Sequence, residues 1–139
     1  IVSDNIMGVI WDKLLVNVAT GAVCGITHLP YGDMYQEDKL VATAVAAVQE
    51  GMDVAAKAGV KLTYSDPMDV LELARAGLPY DFKPSILQSL EKHRPTEVGV
   101  INGAVVAQGA KHGVATPVNE TLVACVTGIE RYIREYINK

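Results

Sequence analysis

The sequence predicts an all-α protein, a helical bundle of five to six helices. Three observations carry this: apolar residues recur at helical spacing over long stretches, Pro and Gly fall where helices should start and stop, and strand patterns are scarce. The only alternating run, Val60-Lys61-Leu62-Thr63-Tyr64, is short and stands alone. The β-branched stretch from Val98 to Val106 is weakened as a strand by Gly99 and Gly103, with Gly109 close behind.

A first helix is expected from Asp4, a good N-cap, to Gly25. His28-Leu29-Pro30-Tyr31-Gly32-Asp33 reads as a loop, because Pro and Gly break the periodicity. Glu37 to Ala58 suits a long second helix with Lys57 in its last turn and Gly59 as terminator. Ser65 or Asp66 can cap a third helix through Ala76, with Pro67 in its first turn. Pro84-Ser85 opens a short one through His93. Pro95-Thr96 opens a fifth, closed by Gly113. Thr116, Pro117 and Glu120 start the last, whose apolar stripe is Leu122, Val126, Ile129, Ile133 and Ile137.

Composition narrows the function classes. A chain of 139 residues, half hydrophobic and a fifth charged, is one ordinary domain. The net charge of -4, with no basic cluster, argues against nucleic acid. The longest apolar run, Leu14 to Ile26, is interrupted by Asn17, Thr20 and two glycines, which argues against a membrane span. Cys24 and Cys125 sit in apolar helical stretches and suit buried free thiols of a reducing, cytoplasmic compartment. The chain opens Ile1-Val2-Ser3 without an initiator Met or a basic leader, and reads as a piece of something longer.

Chemistry concentrates on the first helix. Lys13 and Asn17 are four apart and share a face, which Thr20, Gly21 and Cys24 continue as a small, polar stripe. Ile10, Leu14, Val18 and Ala22 form the apolar side. A cation and an amide heading a groove of small residues suit a small anionic ligand, though a solvent-facing Lys beside a structural Asn gives the same pattern. Glu97, expected in the first turn of the fifth helix, complements a helix dipole there. Three glycines in that helix, each costing about 1 kcal/mol against Ala, suggest close approach of another backbone. Ser85 on its own reads as an N-cap. Histidines 28, 93 and 112 lack metal-ligand spacing. Neither GxGxxG, P-loop nor GxSxG is present.

In order along the chain, Trp11-x-Lys13-Leu14-x-x-Asn17, Glu50 with Val54-Ala55-Ala56-Lys57-Ala58-Gly59, Ser85-Ile86-Leu87-Gln88 ahead of Arg94-Pro95-Thr96-Glu97, and Ile101-Asn102-Gly103 running on to Thr116-Pro117-Val118-Asn119 resemble the C-terminal domain of the ketopantoate reductase family. The resemblance covers nearly all of residues 1–139. It implies the C-terminal helical, substrate-binding half of a 6-phosphogluconate-dehydrogenase-like reductase, whose N-terminal Rossmann domain is absent from this chain and binds most of the NADPH. The implied activity is NADPH-dependent reduction of a small 2-oxo acid, 2-dehydropantoate to pantoate. Carried over residue by residue, Lys13 matches the proton donor to the ketone oxygen. Asn17 and Ser85 match substrate-binding groups, and Glu97 an acidic residue where cofactor and substrate meet. Two positions depart from the pattern: Gly21 where a second Asn is frequent, and Ser89 where an acidic residue often follows the Gln.

Two alternatives stay open. One is the helical domain of a related 2-oxo or 2-hydroxy acid dehydrogenase. The other is a non-catalytic oligomerisation module, in which the stripe Gly99, Gly103 and Ala107 serves a helix–helix interface of a homodimer.

Overall fold

Asn5 caps the start of the first helix: its side-chain oxygen accepts from the Gly8 N–H at 3.2 Å while its amide donates to the Lys61 carbonyl at 2.8 Å. The computed structural model describes residues 5–139, so Asp4 lies outside the described residues. The helices are α1 (Ile6–Thr27), α2 (Tyr31–Gln36), α3 (Asp38–Lys57), α4 (Pro67–Arg75), α5 (Ser85–Glu91), α6 (Asn102–His112) and α7 (Pro117–Tyr132). A 3-10 turn over Val98–Val100 precedes α6, and a π-helical turn over Ile133–Ile137 ends α7. The described residues contain no β-strand, as expected from the sequence.

α1 is the central element and packs against α2, α3, α4, α5 and α7. It is long and apolar enough to cross a membrane by length and composition, contrary to expectation, but more than half of its apolar window is buried in the bundle. Leu15, Val18, Ala19 and Ala22 form its core face. On the first turns only Gly8 and Trp11 are buried, and Ile10, expected on the apolar side, is 54% exposed. The helix ends at His28 in the left-handed region (φ 62°), past Gly25.

Three expectations about where helices begin need correction. The segment after α1 is not all loop: Pro30 sets an extended entry and Asp33 falls in the first turn of α2. The predicted fifth helix is broken. The Thr96 hydroxyl captures the Val98 N–H at 3.2 Å, and Ile101 (φ -103°, ψ -87°) leaves helical geometry before α6 begins. Gly99 thus lies in the 3-10 turn with open space around it, Gly103 lies in α6 with the Val98 carbonyl of the same chain approaching it, and the two do not share one helix. The last correction is to the start of α7. The Thr116 side chain makes no capping bond. The Glu50 carboxylate on α3 does so instead, accepting from the N–H groups of Val118 (2.9 Å) and Asn119 (3.0 Å).

That carboxylate belongs to a buried network joining three helices. Asn119 Nδ2 donates to Glu50 Oε1 (2.8 Å) and to the Ala47 carbonyl (3.0 Å), while Asn119 Oδ1 accepts from Asn102 Nδ2 at 3.0 Å. Glu50, Asn102 and Asn119 thus lock α3, α6 and α7 together. Of the cysteines, Cys24 is buried as expected, and burial pushes its thiol up to about 12. Cys125, expected to be buried, is exposed because it lies beside the Leu122/Val126 core stripe. The stripe also stops short, since Ile137 is 43% exposed.

Candidate functional site

A cleft of about 320 Å³ opens between α1 and the segment that joins α4 to α5. From α1 come Val16, Asn17, Thr20 and Gly21; from α5, Ser85 and Ile86. Tyr31, Leu78, Phe82 and Ile101 close the remaining sides with Ala74 and Pro84.

The absence of side chains at two α1 positions builds this cleft. A Cβ on Gly21 would lie 3.2 Å from Ile86 Cδ1, and one on Gly25 would lie 2.7 Å from Ile86 Cγ2 and 3.2 Å from Leu90 Cδ1. Both glycines let α5 seat directly on α1, which brings Ser85 to the same cleft as Asn17. Gly21, in place of the Asn frequent in the resembling family, therefore has a packing role: it faces hydrocarbon on α5. Pro84 occupies the N-cap position of α5, so Ser85 is its first helical residue rather than its cap.

The wall opposite Asn17 is a strap, residues 76–84, held down at several points. Tyr31 N–H donates to the Phe82 carbonyl (2.9 Å), Gly32 N–H to the Tyr80 carbonyl (2.7 Å), and the Tyr80 hydroxyl to Asp33 (2.7 Å). The Tyr80 ring packs directly on Gly32, where a Cβ would overlap it and force the ring aside. The Tyr31 and Phe82 rings pack with centroids 4.9 Å apart. Inside the cleft the Thr20 and Tyr31 hydroxyls bond each other at 2.8 Å, and burial raises the Tyr31 phenol above its ordinary value.

The structure brings together two of the four predicted site residues. Asn17 and Ser85 line the cleft, and neither side chain has a hydrogen-bond partner among the described residues. Lys13 and Glu97 lie outside the lining. Lys13 is exposed one turn before Asn17, about 5–6 Å away at Cβ on helical geometry. Its neighbour Asp12 is engaged elsewhere, accepting from Thr63 N (3.1 Å) and Thr63 Oγ1 (2.6 Å), so Lys13 has no ion pair among the described residues. Glu97 is exposed, and it precedes the 3-10 turn instead of sitting in a helix's first turn. Its carbonyl accepts from Val100 and Ile101 N–H (3.0 and 3.1 Å), which ties it to the cleft-lining Ile101. On the preceding residue, Thr96 N–H donates to Glu130 at 2.6 Å.

Sequence reasoning missed Tyr31, Leu78 and Phe82. The available signal was the Pro79-Tyr80-Asp81-Phe82-Lys83-Pro84 segment, an aromatic pair fenced by prolines between two helices.

Fold and cleft together define a class: an all-α domain whose cleft lies between its first helix and the segment joining α4 to α5. A ketopantoate reductase of the PanE/ApbA family from Ralstonia eutropha superposes with a TM-score of 0.87 at 32% identity, over 96% of this chain and 44% of that one. D-mandelate dehydrogenase, solved with NADH and anilino(oxo)acetate, superposes at 0.83 with 29% identity over 95% of this chain and 55% of that one. Residues 5–130 match the family described as ketopantoate reductase PanE/ApbA C terminal, and the chain belongs to that family. The 2-dehydropantoate 2-reductase of Archaeoglobus fulgidus is 33% identical over 121 residues, which is 87% of this chain and 40% of that protein. The chain thus spans about two fifths of the length of that curated relative.

Proposed function

We propose that this chain is the substrate-binding half of a cytoplasmic, NADPH-dependent reductase that converts a 2-oxo acid to the 2-hydroxy acid, with 2-dehydropantoate the leading substrate. The observation that carries this reading is the meeting of Asn17 and Ser85, both without partners, in one cleft a helical turn from Lys13. An N-terminal Rossmann domain completes the enzyme, since pyrophosphate recognition in this architecture needs a glycine-rich turn at a helix N-terminus and no such motif occurs in the sequence. NADPH, when bound, supplies the hydride. The exposed Glu97 carboxylate, unpaired among the described residues, suits a contact with its ribose side.

The roles follow from charge. Asn17 and Ser85 hold the carboxylate and ketone of the substrate. The Lys13 ammonium faces the ketone oxygen, stabilises its growing negative charge and gives it a proton as the carbon accepts hydride. A second reading, a dehydrogenase for a different 2-hydroxy acid, is favoured by the similarity to D-mandelate dehydrogenase.

Lys13→Ala in the complete enzyme tests the reading. It is expected to lower kcat by at least ~10²-fold with the melting temperature nearly unchanged, because the residue is exposed. Near-normal kcat in a folded Lys13→Ala enzyme refutes the role.

A further inference from the structure

We propose that a second, smaller cleft, between the loop at residues 93–96 and the end of α7, binds a phosphate group held by Arg94 and Arg134. It shares no lining residue with the cleft of Asn17 and Ser85, and the reaction proposed above does not draw on it.

Two irregularities of the backbone make this cleft. His93 sits in the left-handed region (φ 57°), uncommon for a residue other than glycine. Its N–H donates to the Leu90 carbonyl at 3.0 Å, and the Arg94 N–H to the Ser89 carbonyl at 2.9 Å. Opposite, α7 widens into the π-helical turn of Ile133–Ile137, closed by the Asn138 N–H donating to the Ile133 carbonyl at 2.8 Å. That turn carries Asn138 to the loop, where its side-chain amide donates to the His93 carbonyl at 2.8 Å. The Thr96 N–H donates to Glu130 on α7 at 2.6 Å. Loop and helix end are thus fastened at two points, and the cleft is formed before anything enters it. Single π turns and left-handed residues other than glycine gather at binding sites, and here both border one cleft.

Charge decides what enters. Arg94 and Arg134 line the cleft, and neither guanidinium has a hydrogen bond or ion pair among the described residues. The neighbouring acids are already engaged: Glu130 by the Thr96 N–H, Glu91 by Lys83 at 3.0 Å and Glu135 by Arg131 at 3.2 Å. Two unpaired guanidiniums on one cleft are a departure in a chain of net charge -4. Each planar fork can give two parallel N–H bonds to phosphate oxygens, and the His93 ring adds a further donor. The apolar lining is Ile133 and Pro95 alone, so little hydrocarbon can accompany the anion. At about 30 Å³ per water-sized group, the 170 Å³ cleft has room for roughly five or six such groups, and a phosphate has five heavy atoms.

The test is calorimetric titration of the complete enzyme with inorganic phosphate, at an ionic strength held constant with sodium chloride. The expected Kd is about 1 mM or tighter, at least tenfold weaker in Arg94→Gln and in Arg134→Gln and unchanged in Lys13→Ala. Both arginines are exposed, so the variants should keep their circular dichroism. Glycerol 3-phosphate, titrated beside inorganic phosphate, separates the sources of the group: tighter binding of the ester supports the site with a phosphorylated small molecule as its occupant, and binding of the free ion as tight or tighter supports it with phosphate itself. No binding of either, binding kept in both arginine variants, loss in Lys13→Ala, or displacement of phosphate by saturating NADPH overturns the proposal. The last two results assign the anion to the reaction cleft instead.

Discussion

The Glu50 carboxylate accepts three hydrogen bonds, from Val118 N, Asn119 N and Asn119 Nδ2, and Glu50→Ala deletes all three while uncapping α7. Bonds to a charged acceptor contribute about 1.5 kcal/mol each at the low end, roughly 4.5 kcal/mol together. Water reaches the half-buried site and re-solvates part of what is released, which brings the expected loss to about 3 kcal/mol. For a domain of this size that is a fall in Tm of roughly 10 °C. Glu50→Gln separates the geometry from the charge. Its carbonyl can keep both Asn119 donors, but its NH₂ then faces the Val118 N–H, donor against donor, so about half of the loss should remain. The assay is urea unfolding of the chain followed by far-UV circular dichroism, with amide exchange at Val118 and Asn119 as the local readout. A loss under about 1 kcal/mol for Glu50→Ala refutes the assignment of Glu50 as the cap. Equal losses for Ala and Gln refute the donor–acceptor reasoning.

Gly25→Ala should destabilise by about 1–3 kcal/mol, since its Cβ meets Ile86 and Leu90, and an unchanged denaturation midpoint would show that α5 yields freely. Cys24 should resist a thiol reagent in the folded chain at neutral pH while Cys125 reacts, and fast labelling of both is the contrary result. Because the Cys24 thiol rises from 9.0 to about 12 on folding, the unfolded chain releases that proton first. The stability it contributes is complete below pH 9 and is lost as pH climbs toward 12, and a Cys24→Ala chain should lack that component of the alkaline decline. The isolated chain should bind NADPH very weakly, and micromolar affinity by calorimetry would place a cofactor site on this domain alone.

Much of the helix plan was legible because local signals and packing agree. Asp66-Pro67, Thr116-Pro117 and Gly59, the last with φ +76°, mark ends where the chain does turn. At two helix starts a partner distant in sequence overrides the local signal. Thr116 looks like a cap, but Glu50, far away in sequence, does the capping. Pro95-Thr96-Glu97 looks like a helix start, but the Thr96 hydroxyl and Glu130 take its first amides for a turn. In the site, the Lys13/Asn17 face was readable from spacing of four. The strap was not, because nothing local says that Tyr31 and Phe82 will meet across the gap between α2 and α5.

The two glycines of α1 carry a consequence for how such a site can change over time. Lys13 and Asn17 lie on the exposed half of the helix, where a substitution alters chemistry and leaves the packing in place. Gly21 and Gly25 lie on the half pressed against Ile86 and Leu90, where an added carbon makes the α5 side chains shift, slightly at 21 and more at 25. Positions 21 and 25 should therefore vary among relatives together with 86 and 90, whereas a change at 13 or 17 asks for no repacking of the bundle. A change at residue 21 shifts the helix that carries Ser85, so the two ends of the cleft change as one unit.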